Sequence, residues 1–306
     1  MRYRQPMFRL VHISDPHLGP VPDLRFDDYF NKRIIGFLNW KGNRKHHMGG
    51  DWLARLIADF QQSKPDHIAV TGDVTNLALQ EEYLQGRNWL ASLGSGHDVS
   101  VIPGNHDAYI KGALKRHQAV WSAFMSGDEA SPGEIAFPFL RRRDGVALIG
   151  TSTGVAMPPV LSGGLFGRKQ ADRLRTMLSD PAIADDFKIV MIHHPPHLGA
   201  TFIQKSLFDA YLVRRVIKAT GADLILHGHT HLASRASVPG PNGPVPVIGV
   251  SAASNGTGTL YPPARYNLFE IERSGDGGWT CLWTERGFDS GSGEVVMFRD
   301  REVLAK

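Results

Sequence analysis

Short apolar runs alternate along the chain with segments in which apolar residues recur every three or four positions. The short runs have the length and composition of buried β-strands, and they lie at residues 8–13, 67–71, 99–102, 146–150, 188–192, 223–226 and 245–250. The periodic segments predict amphipathic helices at residues 51–62, 79–93, 111–125, 168–178 and 205–219. Strands that alternate with helices predict an α/β fold.

The last 40 or so residues follow a different pattern. Residues 266–272, 279–285 and 294–299 roughly alternate apolar and polar positions, and a glycine-rich turn separates the first two segments. We therefore predict a terminal antiparallel β-meander at about residues 265–300. The length of 306 residues fits one or two domains. We predict a single domain over residues 1–306, because the candidate site described below draws on most of the chain.

An insertion at residues 21–50 departs from the strand–helix alternation. Its apolar residues are Phe26, Tyr29, Phe30, Ile34, Ile35, Phe37, Leu38 and Trp40. Its basic residues are Lys32, Arg33, Lys41, Arg44, Lys45, His46 and His47. Three interpretations stay open: a packed helix or homodimer contact, a cap over the substrate, and a contact with an anionic membrane surface through residues 25–45.

The composition is that of a globular protein, with 42% hydrophobic residues. The net charge of +4 is modest for this length and does not favour nucleic acid as a partner. The single cysteine, Cys281, cannot form an intramolecular disulfide, which fits a reducing compartment. No window approaches 18 apolar residues, and no apolar signal region precedes the first strand. We therefore predict a cytoplasmic protein.

Five short polar motifs each follow a predicted strand. In chain order they read Asp15-Pro16-His17, Gly72-Asp73, Gly104-Asn105-His106-Asp107, His193-His194-Pro195-Pro196 and His227-Gly228-His229-Thr230-His231. One such residue beside a strand is most often structural, but five motifs in this order indicate a site at the strand ends. Oxygen and imidazole ligands without thiolates suit Mn, Fe or Zn. The candidate metal ligands are Asp15, His17, Asp73, Asn105, His193, His229 and His231.

The order of these motifs resembles the calcineurin-like metallophosphoesterase superfamily, and within it the bacterial cyclic-nucleotide and glycerophosphodiester phosphodiesterases. The motifs run from Asp15 to His231 and so cover most of the chain. The resemblance implies a four-layer α-β-β-α sandwich with two packed sheets. It also implies two divalent or mixed-valence transition-metal ions as cofactors.

The resemblance assigns a role to each motif residue. Asp73 would be the ligand shared by both ions. One ion would be completed by Asp15, His17 and His231, and the other by Asn105, His193 and His229. His106 would be the catalytic residue, as a general acid or a charge stabiliser near the leaving oxygen. Asn105 would also contact the substrate. His194 would either contact the substrate or pack behind the ligands.

Two neighbours of these residues have less defined roles. Asp107 either orients His106 or caps a turn, and the sequence does not separate these alternatives. For His227 we favour a structural role. Gly104 and Gly228 are expected to allow a close backbone approach at the metal loops.

The function implied by the resemblance is hydrolysis of a small phosphodiester, such as a cyclic nucleotide, by a metal-activated hydroxide. The second motif reads Gly72-Asp73-Val74-Thr75-Asn76 and lacks the further charged residues of the protein-phosphatase branch. This departure argues against a phosphoprotein phosphatase. An alternative is a pyrophosphatase for a nucleotide-linked lipid. A non-catalytic scaffold is a third alternative, against which the complete ligand set argues.

Overall fold

The computed structural model describes residues 7–26, 28, 32–40, 51–131, 133–258, 261–275 and 277–305. Within these residues the chain forms two six-stranded sheets. The first sheet has the order β12-β11-β10-β1-β2-β3, in which β1, β2 and β3 are parallel and the C-terminal strands are antiparallel. Its strands are β1 (Phe8–Ile13), β2 (His67–Val70), β3 (Val99–Val101), β10 (Arg265–Arg273), β11 (Trp279–Phe288) and β12 (Val295–Ala305).

The second sheet has the order β4-β5-β6-β7-β9-β8. Four neighbouring strands, β5, β6, β7 and β9, are parallel, and an antiparallel strand lies at each edge. The strands are β4 (Phe139–Arg143), β5 (Val146–Gly150), β6 (Phe187–Met191), β7 (Leu224–His227), β8 (Ser234–Gly240) and β9 (Gly243–Gly249).

Helices cover the outer faces of the two sheets. One helix, α1 (Arg33–Asn39), belongs to the insertion, and those on the sheets are α2 (Trp52–Gln61), α3 (Gln80–Leu93), α4 (Ala113–His117), α5 (Ser122–Met125), α6 (Arg168–Leu178) and α7 (Ala210–Thr220). Between the sheets, Leu10 of β1 belongs to the same buried cluster as Leu148 of β5. On the far side of the second sheet, Val190 packs in a separate cluster with Leu174 of α6 and Ile217 of α7. The predicted four-layer α-β-β-α sandwich is confirmed.

Two predicted helices have different bounds in the structure. The segment predicted as one helix at 111–125 is divided into α4, a 3-10 turn at Gln118–Trp121, and α5. The indole of Trp121 is fully buried and donates from Nε1 to the carbonyl of Tyr83 at 2.8 Å, which holds the chain in the tighter turn. The helix predicted from residue 205 begins at Ala210, because the Asp209 carboxylate accepts two backbone N–H groups of the 166–167 loop.

Two strands were not predicted, β4 and β8, which are the antiparallel edges of the second sheet. The β4 sequence is rich in arginine, so its composition does not indicate a strand. Arg141 nevertheless points inward and donates to the carbonyls of Val99 at 2.7 Å and Ala123 at 2.8 Å. A guanidinium that satisfies backbone carbonyls in this way is tolerated at a buried position.

The insertion contributes α1, which is anchored on the loop that follows Asp73. The buried Arg33 donates to Asp28 at 2.6 Å, to the carbonyl of Leu77 at 2.9 Å and to the carbonyl of Ala78. The apolar side of α1 is buried against the same loop through Phe37, Trp40, Leu77 and Leu79. Seven aromatic and basic positions of the insertion lie outside the described residues: Tyr29, Phe30, Lys41, Arg44, Lys45, His46 and His47. Among the described helices, none is long and apolar enough to cross a membrane.

Candidate metal centre

The five polar motifs follow β1, β2, β3, β6 and β7, and their loops meet at one end of the two sheets. The first two loops run side by side, because the backbone N–H of Asp15 donates to Gly72 and that of His17 donates to Asp73, each at 3.0 Å. The carboxyl ends of parallel strands lie at one edge of a sheet, so motifs that are distant in sequence come together there. The predicted convergence of the motifs is therefore observed.

Five of the seven predicted ligands have a left-handed backbone conformation. Their φ angles are +53° for Asp15, +40° for His17, +54° for Asp73, +68° for His229 and +56° for His231. This region is uncommon for residues other than glycine, although Asp and His enter it more readily than most. Backbone strain of this kind persists where the surroundings enforce it, and it concentrates at functional sites.

The first ligand cluster contains Asp15, His17, Asp73 and His231, with one ligand atom of each within 4.8 Å of the others. Nε2 of His231 lies 3.2 Å from Oδ1 of Asp15 and 3.3 Å from Nε2 of His17. Nε2 of His17 lies 3.8 Å from Oδ2 of Asp73. Two carboxylates and two imidazoles at these distances are a suitable donor set for a divalent transition metal.

The second cluster lies on the other side of Asp73. Nε2 of His193 lies 3.5 Å from Oδ2 of Asp73 and 3.2 Å from Oδ1 of Asn105. Nδ1 of His229 lies 2.9 Å from the same amide oxygen of Asn105. Oδ2 of Asp73 therefore faces both clusters, which is the position of a shared ligand.

A carbonyl oxygen orients each of three imidazoles in the clusters. Nδ1 of His17 bonds to Thr75 O at 3.2 Å, and Nδ1 of His193 bonds to Thr71 O at 2.6 Å. Nε2 of His229 bonds to Lys205 O at 2.7 Å. Since a carbonyl only accepts, these bonds place the proton on the outer nitrogen and direct the other nitrogen of each ring into its cluster. Metal-ligating histidines have this second hydrogen bond almost without exception, so the residues fit a bound metal.

The protonation of the buried groups also fits metal binding. Burial would raise the pKa of Asp73, but the nearby charges of His193 and His106 outweigh this and hold the pKa well below its usual range. Burial lowers the pKa of His229, which keeps that imidazole neutral. Oδ1 of Asp15 is buried and accepts no hydrogen bond from the described residues, although Nε2 of His231 lies 3.2 Å away. An ionised carboxylate, a neutral imidazole and an unsatisfied buried oxygen are all suited to a cation.

His106 lies at the edge of the clusters. Its backbone N–H donates to Oδ1 of Asp73 at 2.7 Å, and its Nδ1 bonds to the carbonyl of Asn76 at 2.6 Å. Its ring stacks on Tyr109 with centroids 5.5 Å apart and meets the ring of His17 edge-on at 4.8 Å. The imidazole is thus held in one orientation beside the ligands, as a group that transfers a proton must be.

The Asp107 carboxylate holds the loop backbone. It accepts hydrogen bonds from the N–H groups of Asp73, Thr75 and Gly104, each at 2.9 Å, and from the hydroxyl of Thr75 at 3.0 Å. Burial and the charge of Asp73 raise the pKa of Asp107 to about 7. Of the two alternatives for this residue, the structure favours the loop cap. The orientation of His106 comes instead from Asn76 and Tyr109, which sequence reasoning missed.

Two further histidines of the motifs lie behind the ligands. His194 is fully buried, and its ring bonds to the hydroxyl of Thr153 at 2.7 Å and to the carbonyl of Ser162 at 3.0 Å. Although His194 groups by distance with His193 and His229, both of its nitrogens are already bonded. A substrate contact by His194 therefore stays a prediction. His227 is buried between Gly228 O and Ser234 Oγ, in a structural position.

Two glycines allow the metal loops to pack this closely. A Cβ at Gly104 would collide with the carboxylate of Asp73 and with the ring of His193. A Cβ at Gly228 would collide with the side chains of Ser14 and Asp15. Both positions were predicted to allow a close approach, and neither leaves room for a side chain.

A cavity of about 230 Å³ opens beside Asn105 and His106. The insertion and the 155–162 loop form its other walls, among them Lys32, Ile35, Met157 and Val160. Tyr109, which stacks on His106, lies at its base. Sequence reasoning did not identify Tyr109 or Met157 as site residues, because neither lies in a recognisable motif.

The comparisons with known proteins agree with this geometry. Residues 8–233 match the family model described as calcineurin-like phosphoesterase. The chain belongs to the calcineurin-like phosphoesterase family. Membership implies a phosphoric ester hydrolase with a metal site, so the predicted superfamily is confirmed. The specific ester and the identity of the metals are finer questions.

A curated relative is a cAMP/cGMP dual specificity phosphodiesterase from Mycobacterium tuberculosis. It is 26% identical over 255 residues, which cover 81% of this chain and 68% of the relative. Among solved structures, a dimetal phosphatase from Danio rerio has a TM-score of 0.58 at 12% identity and covers 96% of this chain and 100% of its own. A purple acid phosphatase from yellow lupin (Lupinus luteus) seeds has a TM-score of 0.58 at 13% identity and covers 96% of this chain and 53% of its own. These structural likenesses establish the fold.

Proposed function

We propose that the chain is a phosphodiesterase that hydrolyses a small phosphodiester, a cyclic nucleotide or a similar compound, with two transition-metal ions. The observation that carries the proposal is the position of Asp73, whose Oδ2 lies 3.8 Å from His17 and 3.5 Å from His193 in the two clusters. The similarity to a cyclic-nucleotide phosphodiesterase supports the substrate class.

We assign each ligand to one of two ions, which we propose to be Mn, Fe or Zn. Asp73 would be shared, and the two sets are Asp15, His17 and His231, and Asn105, His193 and His229. When bound, the ions would act as Lewis acids that activate water and stabilise the negative charge of the phosphoryl transition state.

His106 would protonate the leaving oxygen. Its Nδ1–H donates to the carbonyl of Asn76, so the proton that reaches the leaving oxygen would come from Nε2 of the imidazolium form and would leave a neutral ring protonated on Nδ1. The stacked ring of Tyr109 restricts rotation of the imidazole. A positioned general acid contributes roughly 10²–10⁴-fold to the rate.

A direct test is hydrolysis of bis(p-nitrophenyl) phosphate by protein that has been stripped of metal with a chelator and reloaded with Mn²⁺. We expect activity only after reloading, with two ions per chain. A protein that binds two ions but hydrolyses no diester would contradict the proposal. It would be the non-catalytic scaffold only if it also left the nucleotide-linked lipid intact. Cyclic nucleotides, glycerophosphodiesters and a nucleotide-linked lipid complete the substrate panel.

One observation favours the pyrophosphatase alternative. Ile35 and Leu38 of α1 are 55% and 62% exposed, and Ile35 lines the cavity beside His106. Exposed apolar side chains next to a phosphoesterase site would suit an acyl chain. Faster turnover of a nucleotide-linked lipid than of any cyclic nucleotide in the panel would favour this second function.

A further inference from the structure

Lys32 is a half-buried cation in the wall of the cavity. Its Nζ donates to the carbonyl of Met157 at 3.0 Å and lies 4.1 Å from the ring centre of Tyr109. Among the described residues no carboxylate lies within ion-pair distance of it. Burial lowers the pKa of this ammonium. A partly desolvated ammonium, with three N–H donors, is stabilised by acceptors on a ligand.

Lys32 lies near His106, which would donate a proton to the leaving oxygen. Nζ lies 4.1 Å from the centre of the Tyr109 ring, which is 5.5 Å from the centre of the His106 ring, so the ammonium is less than about 10 Å from His106. His106 marks the side of the centre on which the leaving oxygen would depart. The cavity therefore lies where the body of the leaving alcohol would extend, and Lys32 lines it.

The lining of the cavity combines apolar side chains with polar groups. Ile35, Val155, Met157 and Leu161 supply the apolar part, and Lys32, Asn105, His106 and Ser162 supply the polar part. Binding sites of this kind hold a ligand by its apolar faces and orient it with a small number of polar groups. A nucleobase has two apolar faces and a polar edge, and its polar edge would meet Lys32.

We propose that this cavity binds the base of a cyclic purine nucleotide and that Lys32 selects guanine over adenine. The inference rests on the proposed function and names the substrate of the same site. Guanine presents two adjacent acceptors, O6 and N7, whereas adenine presents the acceptor N7 beside an amino donor at N6. An ammonium only donates, so it matches both groups of guanine and opposes the amino group of adenine.

The test is the ratio of kcat/KM for cyclic GMP to that for cyclic AMP, measured with the metal-loaded enzyme. We expect the wild-type ratio to favour cyclic GMP by about tenfold, as expected for matched hydrogen bonds to one base edge. Lys32→Met should bring the ratio close to one. Lys32→Arg should keep the preference for cyclic GMP. Lys32→Glu should reverse it, because a carboxylate accepts from the adenine amino group.

Lys218→Met is the matched control. Lys218 is exposed on α7 and does not line the cavity, so this variant should have the wild-type ratio. Circular dichroism and metal content show whether each variant is folded. If Lys32→Met slows both nucleotides equally, Lys32 acts on the phosphoryl group and the proposal is overturned. A wild-type enzyme without preference for cyclic GMP overturns it as well.

A binding measurement separates this inference from the proposed function. Guanosine and adenosine lack the phosphate, so their affinities, measured by calorimetry, do not depend on catalysis. If the metal-loaded protein hydrolyses no phosphodiester, the proposed function fails, but guanosine should still bind wild type about tenfold more tightly than adenosine. Lys32→Met should remove this difference. Equal affinities of the two nucleosides for wild type would overturn the base-binding site.

Discussion

Oδ2 of Asp73 lies 3.5 Å from Nε2 of His193. The same oxygen lies 3.8 Å from Nε2 of His17 in the other cluster, so one carboxylate links two groups of ligands that different loops supply. A shared carboxylate of this kind holds two ions at roughly 3.5–4 Å separation. Loss of the shared ligand should therefore affect both ions, whereas loss of an unshared ligand should affect mainly one.

Removal of Asp73 should therefore disturb both metal ions. We expect Asp73→Ala to bind fewer than one ion per chain with measurable affinity, because each cluster loses a ligand and a negative charge. Asn105→Ala should weaken mainly one ion, since its amide oxygen lies 3.2 Å from Nε2 of His193 and 2.9 Å from Nδ1 of His229, both in the second cluster. Elemental analysis after gel filtration measures both stoichiometries, and two firmly bound ions in Asp73→Ala would refute the shared ligand.

Replacement of His106 should separate catalysis from metal binding. His106→Ala should keep two ions and lose roughly 10²–10⁴-fold in kcat, as for the loss of a positioned general acid. The loss should be smaller for diesters with very acidic leaving groups, whose oxygen departs without a proton. A series of aryl diesters measures this dependence. An equal loss for good and poor leaving groups would mean that His106 acts on the phosphate charge instead.

A methyl group at Gly104 should damage the centre although no ligand is replaced. The Cβ of Gly104→Ala would collide with the carboxylate of Asp73, so we expect this variant to lose metal and activity. Gly275→Ala is the matched control, because no atom lies within 4 Å of the added Cβ and the turn lies in the C-terminal meander. Full metal content and activity in Gly104→Ala would show that the loop is less tightly packed than described.

A carboxylate far from the metals should make stability depend on pH. Asp59 of α2 accepts from the hydroxyl of Tyr266 at 2.6 Å and from two nitrogens of Arg286 at 2.8 Å. Burial would raise the pKa of Asp59, but the hydrogen bonds from Arg286 and Tyr266 outweigh it and lower the pKa below its ordinary value of 3.8. The stabilisation is therefore fully present above about pH 4 and is lost as the pH falls through the lowered pKa.

Asp59→Asn should then reduce the free energy of unfolding at pH 7 by about 1 kcal/mol, since the pair is partly exposed. The difference from wild type should shrink as the pH falls below the ordinary pKa of the carboxyl. Urea unfolding of the metal-free proteins at pH 7 and at pH 3 measures this difference in the free energy of unfolding. Asp172→Asn, on the exposed face of α6, is the control. A difference that is the same at both pH values would contradict the assigned cause.

The clustering of the candidate ligands could be predicted from sequence because the chemistry of metal ligands is restrictive. Only a few residue types bind a transition metal, and the loops after buried strands bring them together, as for Asp15 and His193. The conformation of these loops was not predictable, since positive φ angles at non-glycine ligands such as His17 and His231 arise from tertiary packing. The edge strands β4 and β8 were missed for a similar reason, because their pairing partners decide their structure.

The substrate cavity depends on contacts that no motif records. Lys32 reaches the site because Arg33 ties α1 to the carbonyls of Leu77 and Ala78 on the loop after Asp73. That loop is itself held by Glu82, which accepts the backbone N–H groups of residues 76, 77 and 79. The sequence showed an apolar insertion with basic residues, but it did not show which side would face the site. Phe37 and Trp40 are buried anchors, whereas Lys32 and Ile35 line the cavity.

Anomalous diffraction from crystals of the manganese-loaded protein tests the dinuclear centre most directly. Two peaks should flank the carboxylate of Asp73, at a separation of roughly 3.5–4 Å. One should be bound by Asp15, His17 and His231, and the other by Asn105, His193 and His229. A single peak, or a second peak bound by His194 in place of Asn105, would contradict the account.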